Sequence, residues 1–212
     1  MIIAVDGPTA SGKGTIAKAL AAHYGLPHLD TGLLYRAVGW QCFLDGGDPD
    51  DPAQALAAAS FPDALLADPE LRSETTGGLA SRVSVHPVVR QALYDRQRSF
   101  ATQPGGAVLD GRDIGTVIAP DAEVKLFVTA SVAARARRRF LEMQAQGRDT
   151  TLAEIEADLA ARDLRDTTRK DAPLVAAAEA VELDTSQLSR DEAVARAIAL
   201  VEARAGALRS GR

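Results

Sequence analysis

Ile2-Ile3-Ala4-Val5-Asp6-Gly7-Pro8-Thr9-Ala10-Ser11-Gly12-Lys13-Gly14-Thr15 is the stretch that decides how this chain folds. It opens with four apolar residues, three of them β-branched, the composition of a short buried strand. A glycine-rich turn follows, and Thr15-Ile16-Ala17-Lys18-Ala19-Leu20-Ala21-Ala22 has the composition of a helix. Gly7 and Gly12 bracket four residues and Lys13 comes next, which is the G-x-x-x-x-G-K pattern in its strand-to-helix setting. In such a loop a phosphate chain lies against backbone N–H groups at the positive end of a helix, where larger side chains would obstruct it. Lys13 adds a mobile positive charge for the outer phosphates. The expected triphosphate contacts are therefore Gly7, Pro8, Thr9, Ala10, Ser11, Gly12, Lys13, Gly14 and Thr15.

A length of 212 residues suits one large α/β domain with insertions or two small ones. Hydrophobic content of 46% and charged content of 25% are those of a soluble globule. No run of eighteen apolar residues suggests a membrane span, and the first residues read as a strand rather than a leader, so a cytoplasmic protein is expected. The single cysteine, Cys42, excludes an intramolecular disulfide and a cysteine-based zinc site. A net charge of -5 argues against a general nucleic-acid binder. Arginine supplies 20 of the 24 basic residues, and its planar fork matches phosphate bidentately. A GC-rich genome would produce the same bias, so position has to decide. The chain lacks Asn, which removes N-glycosylation and the catalytic-loop Asn of protein kinases.

Further strands are expected at Leu26–Asp30, Ala107–Asp110, Val124–Val128 and Ala180–Asp184, with helices at about 33–44 and 87–100 between them. Short apolar strands alternating with helices predict a five-stranded parallel sheet covered by helices on both faces. Asp45 to Pro52 is an acidic Pro/Gly-rich break without the ligand alternation of an EF-hand loop. Beyond it a short helix near 52–59 is expected and no strand is evident up to Thr76. His23, His28 and His86 have no metal-ligand spacing and read as structural or surface residues. Capping boxes at Thr151–Glu154 and Ser189–Glu192 start two later helices. Between the last two strands, Arg135, Arg137, Arg138 and Arg139 crowd one helix, and Arg162, Arg165, Asp166 and Arg169 are spaced to share one helical face. Like charges packed so tightly repel, so an anion is the expected compensation, and the segment reads as a phosphate-facing lid.

Four blocks now carry a resemblance. Gly7 to Thr15, Leu29-Asp30-Thr31-Gly32-Leu33-Leu34-Tyr35-Arg36, Asp110-Gly111-Arg112-Asp113-Ile114-Gly115-Thr116-Val117 and Arg162-Asp163-Leu164-Arg165-Asp166-Thr167-Thr168-Arg169 look like the signature blocks of the bacterial cytidylate kinases. The match runs from about residue 2 to 200. The Gly14-Thr15 ending of the loop, where the simple pattern wants Ser or Thr directly after Lys13, is itself common among nucleoside monophosphate kinases. The resemblance implies a P-loop kinase: a single domain with a core at about 1–44, 87–130 and 172–212, a shortened monophosphate-binding insertion at about 45–86, and an Arg-rich lid at about 131–171. It implies Mg2+-dependent transfer of the ATP γ-phosphoryl group to CMP or dCMP by a monomer. Family members usually carry a small antiparallel sheet in the insertion, for which this chain has no evident hairpin.

By the same resemblance Arg36, Arg112 and Arg169 hold the acceptor phosphate, Thr31, Arg162 and Asp166 the sugar, and Ser81, Arg90 and Asp113 the base. A carboxylate and a hydroxyl suit the cytosine amino group, and uracil would leave Asp113 facing an acceptor. The expected catalytic groups are Lys13, Arg112, Arg169 and a lid arginine, Arg138, with Arg135 and Arg139 as alternatives. Metal ligands stay open, with Asp30 and Asp110 at strand ends as candidates for ordering a hydrated ion or for capping turns. A kinase for UMP or AMP and a non-catalytic nucleotide-binding regulator are the alternatives, although a guanine-reading Asn-Lys-x-Asp motif is absent.

Overall fold

The strands Ile2–Asp6 (β1), His28–Asp30 (β2), Ala107–Gly111 (β3), Val124–Thr129 (β4) and Val181–Asp184 (β5) pair in parallel in the order β2-β3-β1-β4-β5. This computed structural model describes residues 1–210. Register places Asp6 beside Gly111 and Phe127, and Asp30 beside Asp110, so the strands deliver their carboxyl ends to one edge. That edge is where open α/β sheets bind ligands.

Helices Lys13–Tyr24 (α1) and Arg190–Ser210 (α8) cover one face. Ile16 and Leu20 of α1 and Ala197 and Val201 of α8 share a buried cluster with Val5, Val108 and Leu126 of the sheet. On the other face Ala101 of the helix Pro87–Ala101 (α5) joins Ile114 and Ile118 over Ala4 and Leu109. The central strands β1, β3 and β4 are buried on both sides, which is why they read as continuous apolar runs rather than alternating ones, while the edge strands β2 and β5 are only partly buried.

A third cluster joins the helix Thr31–Leu44 (α2) to the segment after it. Leu34, Val38 and Cys42 pack with Ala55 and Ala58 of Pro52–Ala58 (α3), and with Leu71 and Val83. The segment between residues 45 and 86 contains α3, two 3-10 turns and the helix Glu74–Val83 (α4), with no strand among the described residues. Gly39 is what lets α2 and α4 touch, because a Cβ there would stand 2.8 Å from the Leu79 Cβ. The last unit is a hairpin of Val132–Ala145 (α6) and Leu152–Thr168 (α7), whose buried apolar cluster is only Ala136, Ile155 and Leu159. Among the described residues no helix is long and apolar enough to cross a membrane.

Most boundaries shift by a residue from the sequence reading, and three differences bear on the site. Leu26 donates to the Ala21 carbonyl as part of the α1 cap, where Gly25 has φ 64, so β2 starts only at His28. Asp30 accepts the Leu33 N–H at 3.3 Å and starts α2 at Thr31 rather than Leu33. The lid helix α7 ends at Thr168, and Arg169 turns into extended backbone at φ -61, ψ 143. Arg162, Arg165 and Asp166 keep their helical spacing within α7, where Arg162 reaches Glu74 and Arg165 reaches Ser81 of α4, but Arg169 has left the helix and does not share their face. Both expected capping boxes form, Thr151 with Glu154 and Ser189 with Glu192.

Candidate active site

A cavity of about 1170 Å³ opens at the carboxyl edge of the sheet, between the loop after β1, α2, α4 and the α6–α7 hairpin. The loop is shaped by its backbone. Ala10 (φ 61) and Gly12 (φ 90) take left-handed conformations, which turn successive N–H groups toward a common concavity. Gly7 is required by crowding, since a Cβ there would lie 2.0 Å from the Val128 carbonyl oxygen. The Ser11 carbonyl accepts from the Thr185 hydroxyl at 2.9 Å, which ties the loop to the turn after β5. Lys13 folds back to donate to the Pro8 carbonyl at 3.4 Å. Burial, helped by the nearby Arg112 charge, lowers its pKa to about 8.

Opposite the loop, side chains from four elements converge. Arg112 follows β3, donating from Nε to Asp166 Oδ2 at 2.7 Å and from Nη2 to Thr9 Oγ1 at 2.6 Å. Burial opposes the ionised form of Asp166, but the charge and hydrogen bond of Arg112, together with the Arg169 and Lys13 charges, outweigh it and hold the carboxyl below its ordinary range. Asp113 is buried and pairs with Arg90 of α5, which stands 5.6 Å over the Tyr35 ring. Arg169 Nη2 makes no hydrogen bond and lies 4.0 Å from Asp113 Oδ1, while its Nε donates to Ala172 O. Burial, with Arg90 adding repulsion, lowers the Arg169 pKa.

Arg36 donates to the Leu71 and Ser73 carbonyls, each at 2.9 Å, and its pKa is lowered to about 10 by burial and by the Arg162 charge. Thr31 is buried and donates to the Asp110 carbonyl at 2.8 Å. Ser81 accepts from Arg165 Nε at 3.0 Å, which bridges α4 and α7. The cavity lining brings together Thr31, Arg36, Ser81, Arg90, Arg112, Asp113, Arg162, Asp166 and Arg169 with the residues from Thr9 to Thr15. Gly7 and Pro8 do not line it.

Protein groups meet three of the four crowded arginines of α6. Arg135 is buried and pairs with both Asp163 oxygens, at 3.0 and 2.5 Å, and it also donates to the Thr9 carbonyl at 3.1 Å. Arg138 rests on the Thr185 hydroxyl at 3.1 Å and on the Thr185 carbonyl. Arg139 pairs with Glu74 and Glu142, and Arg137 is exposed. Helix geometry spreads these four side chains around α6, so Arg135, Arg138 and Arg139 each find a different partner and Arg137 faces outward.

Sequence reading passes over two carboxylates. Glu74, at the start of α4, meets Arg139 of α6 and Arg162 of α7, the latter at 3.2 Å, and so joins the insertion to the lid. Nothing in its local sequence marks it. Asp6 ends β1 and accepts the Ile114 and Gly115 N–H groups, each at 2.8 Å, and burial raises its pKa to about 6. Its signal is an acidic residue closing an apolar strand directly before the glycine turn. Asp30 caps α2, and Asp110 bonds His28 Nε2 at 2.7 Å, with both carboxylates on the cavity lining. No cluster of three or more His, Cys, Asp or Glu ligands that would hold a metal occurs among the described residues.

Residues 3–203 match the cytidylate kinase family profile. The chain is 58% identical over 209 residues to a cytidylate kinase of Rhodopseudomonas palustris (strain HaA2), covering 97% of this chain and 98% of that protein. It is 56% identical over 203 residues to a cytidylate kinase of Azorhizobium caulinodans, covering 95% of this chain and 98% of that one. An uncharacterized protein from Eubacterium ventriosum superposes with a TM-score of 0.55 at 16% identity, covering 96% of this chain and 98% of its own, and shares the fold. With the family profile matched almost end to end and these relatives aligned over nearly their whole length, the chain belongs to the cytidylate kinase family.

Proposed function

We propose that this protein transfers the γ-phosphoryl group of ATP to CMP or dCMP, giving ADP and CDP or dCDP. The observation that carries the reading is the Asp113–Arg90 pair, buried opposite the P-loop in one cavity. A carboxylate takes the cytosine amino protons and a guanidinium serves the N3 and O2 acceptors.

The acceptor is a phosphate oxygen that is already largely ionised near neutral pH, so no general base is required. Rate acceleration then comes from positioning and from neutralising charge. Lys13 and the loop N–H groups orient the donor. Arg36, Arg112 and Arg169 orient the acceptor phosphate, Thr31, Arg162 and Asp166 its sugar, and Ser81, Arg90 and Asp113 its base. Arg138 lies between the cavity and the β5–α8 turn and reaches the transferring group when it exchanges its Thr185 partners for phosphate oxygens. Asp30 and Asp110 fit a hydrated Mg2+ carried mainly by the ATP phosphates, since two carboxylates supply too few ligands for an all-protein cage. When bound, that ion supplies neutralisation of the phosphate charge.

In this reading residues at about 45–86 and 131–171 are the acceptor-binding insertion and the lid of a single domain, and the enzyme works as a cytoplasmic monomer. An ADP-release assay with CMP, dCMP, UMP and AMP tests it. Cytidine nucleotides are the expected best acceptors, and a preference for UMP or AMP rejects the assignment.

A further inference from the structure

Asp113 occupies the position just before the one-turn π-helical segment Ile114–Ile118. Asp is among the residues that cap such an N-terminus with their own side chain, accepting the N–H groups that the turn leaves free. Asp113 makes no such bond. The N–H groups of Ile114 and Gly115 go instead to Asp6 Oδ1 and Oδ2, each at 2.8 Å, from the end of β1. A carboxylate suits this place because both its oxygens accept and neither donates. The space is also tight: a Cβ on Gly115 would lie 3.3 Å from Asp6 Oδ2 and 3.1 Å from Lys125 Cδ. With the cap filled from another strand, the Asp113 carboxylate turns to Arg90 and Arg169 at the cavity.

We propose that Asp6 is a positioning residue for acceptor recognition: it satisfies the Ile114 and Gly115 N–H groups and so frees the Asp113 carboxylate to read the base. The inference rests on the cytidine monophosphate reading of this site. Its geometry also links the two halves of the reaction, because Asp6 is followed directly by Gly7 of the P-loop while its side chain holds the acceptor-reading turn. In Asp6→Asn one oxygen still accepts, but the amide NH2 faces a second N–H donor. That turn then recruits the Asp113 side chain as its own cap, at the expense of the base.

The test compares wild type, Asp6→Asn, Asp113→Ala and the double variant, with steady-state kinetics on CMP, UMP and ATP. Asp6→Asn is expected to raise the CMP KM about tenfold and to lower the CMP/UMP preference by a similar factor, with the ATP KM changed by less than about twofold. In the Asp113→Ala background the added Asp6→Asn change is expected to be nearly silent, since the first acts through the second. An unaltered CMP/UMP ratio in Asp6→Asn overturns the inference, as do losses that multiply in the double variant. Amide hydrogen exchange needs no substrate. Ile114 and Gly115 are expected to be protected in wild type and in Asp113→Ala and to exchange faster in Asp6→Asn. Unprotected amides in wild type, or protection lost in Asp113→Ala, overturn it as well. Failure of wild type to phosphorylate CMP rejects the functional reading instead, and the exchange data still decide the role of Asp6.

Discussion

The two walls of the cavity are built by opposite means. The wall proposed to take the donor is backbone: a loop of consecutive residues whose left-handed Ala10 and Gly12 set the N–H directions. The wall proposed to take the acceptor is side chain, with Arg36, Arg90, Arg112, Arg162 and Arg169 drawn from α2, α5, the turn after β3 and the α6–α7 hairpin with the residue just after it. Nearly all of these guanidiniums already have partners. Asp166 and Thr9 hold Arg112, Glu74 holds Arg162, and two carbonyls hold Arg36. In the proposed reaction the donor wall is therefore preset, whereas the acceptor wall works by exchange, an incoming phosphate replacing the carboxylates and carbonyls that imitate it. Exchange lowers affinity by the strength of the contacts broken, and it spares the free protein a cluster of bare buried cations.

Breaking the donor wall gives the largest expected effect. Lys13→Ala is expected to lower kcat by about two to three orders of magnitude. CMP affinity and Tm should stay near wild type, and a parallel loss of CMP affinity would show that the walls are not separable. Arg169→Ala probes the acceptor arginine whose Nη2 makes no hydrogen bond. Loss of a charged hydrogen bond of about 1.5–3 kcal/mol predicts a CMP KM raised about 10- to 100-fold with the ATP KM little changed. The pH response sharpens the contrast further. Lys13 titrates near 8 in the free protein. Anion binding favours its protonated form, so ATP affinity is full below that pH and falls as pH rises through it. The ATP Kd, measured by calorimetry, is expected to weaken about tenfold between about pH 7 and pH 9, and Lys13→Ala should flatten that dependence. Glu74→Gln gives the smallest effect. Glu74 is partly exposed and its pairs are correspondingly weak. Removing its charge is expected to lower the CMP KM about threefold and to speed amide exchange in α6 and α7.

Much of this molecule is legible from sequence because its signals are local. Apolar runs locate all five strands to within two residues at each end, and the P-loop, both capping boxes and the strand-lacking stretch after Asp45 are encoded by neighbouring residues. Sequence and structure part where a distant or capping contact intervenes. Arg169 fits the periodicity of α7 but lies beyond its last residue, Thr168, where its Nε meets the Ala172 carbonyl. The cluster from Arg135 to Arg139 reads in sequence as a site waiting for an anion. Arg135, Arg138 and Arg139 are divided between Asp163, Thr185 and Glu74, residues separated from them by tens of positions.

What the sequence by itself determined is the shape of the loop after β1, because the direction of a backbone N–H depends on the φ and ψ of a few adjacent residues, and glycine spacing controls those. It also supplied the charged groups that face this loop across the cavity, through the blocks that carry Arg112, Asp113, Arg162 and Asp166. Only the tertiary structure decided which carboxylate each arginine meets and which stays poised. Asp6 and Glu74 show why. Their partners, Ile114 and Arg162, lie 108 and 88 residues away along the chain. A side-chain contact at that separation depends on strand order and helix packing, and no run of neighbouring residues encodes it.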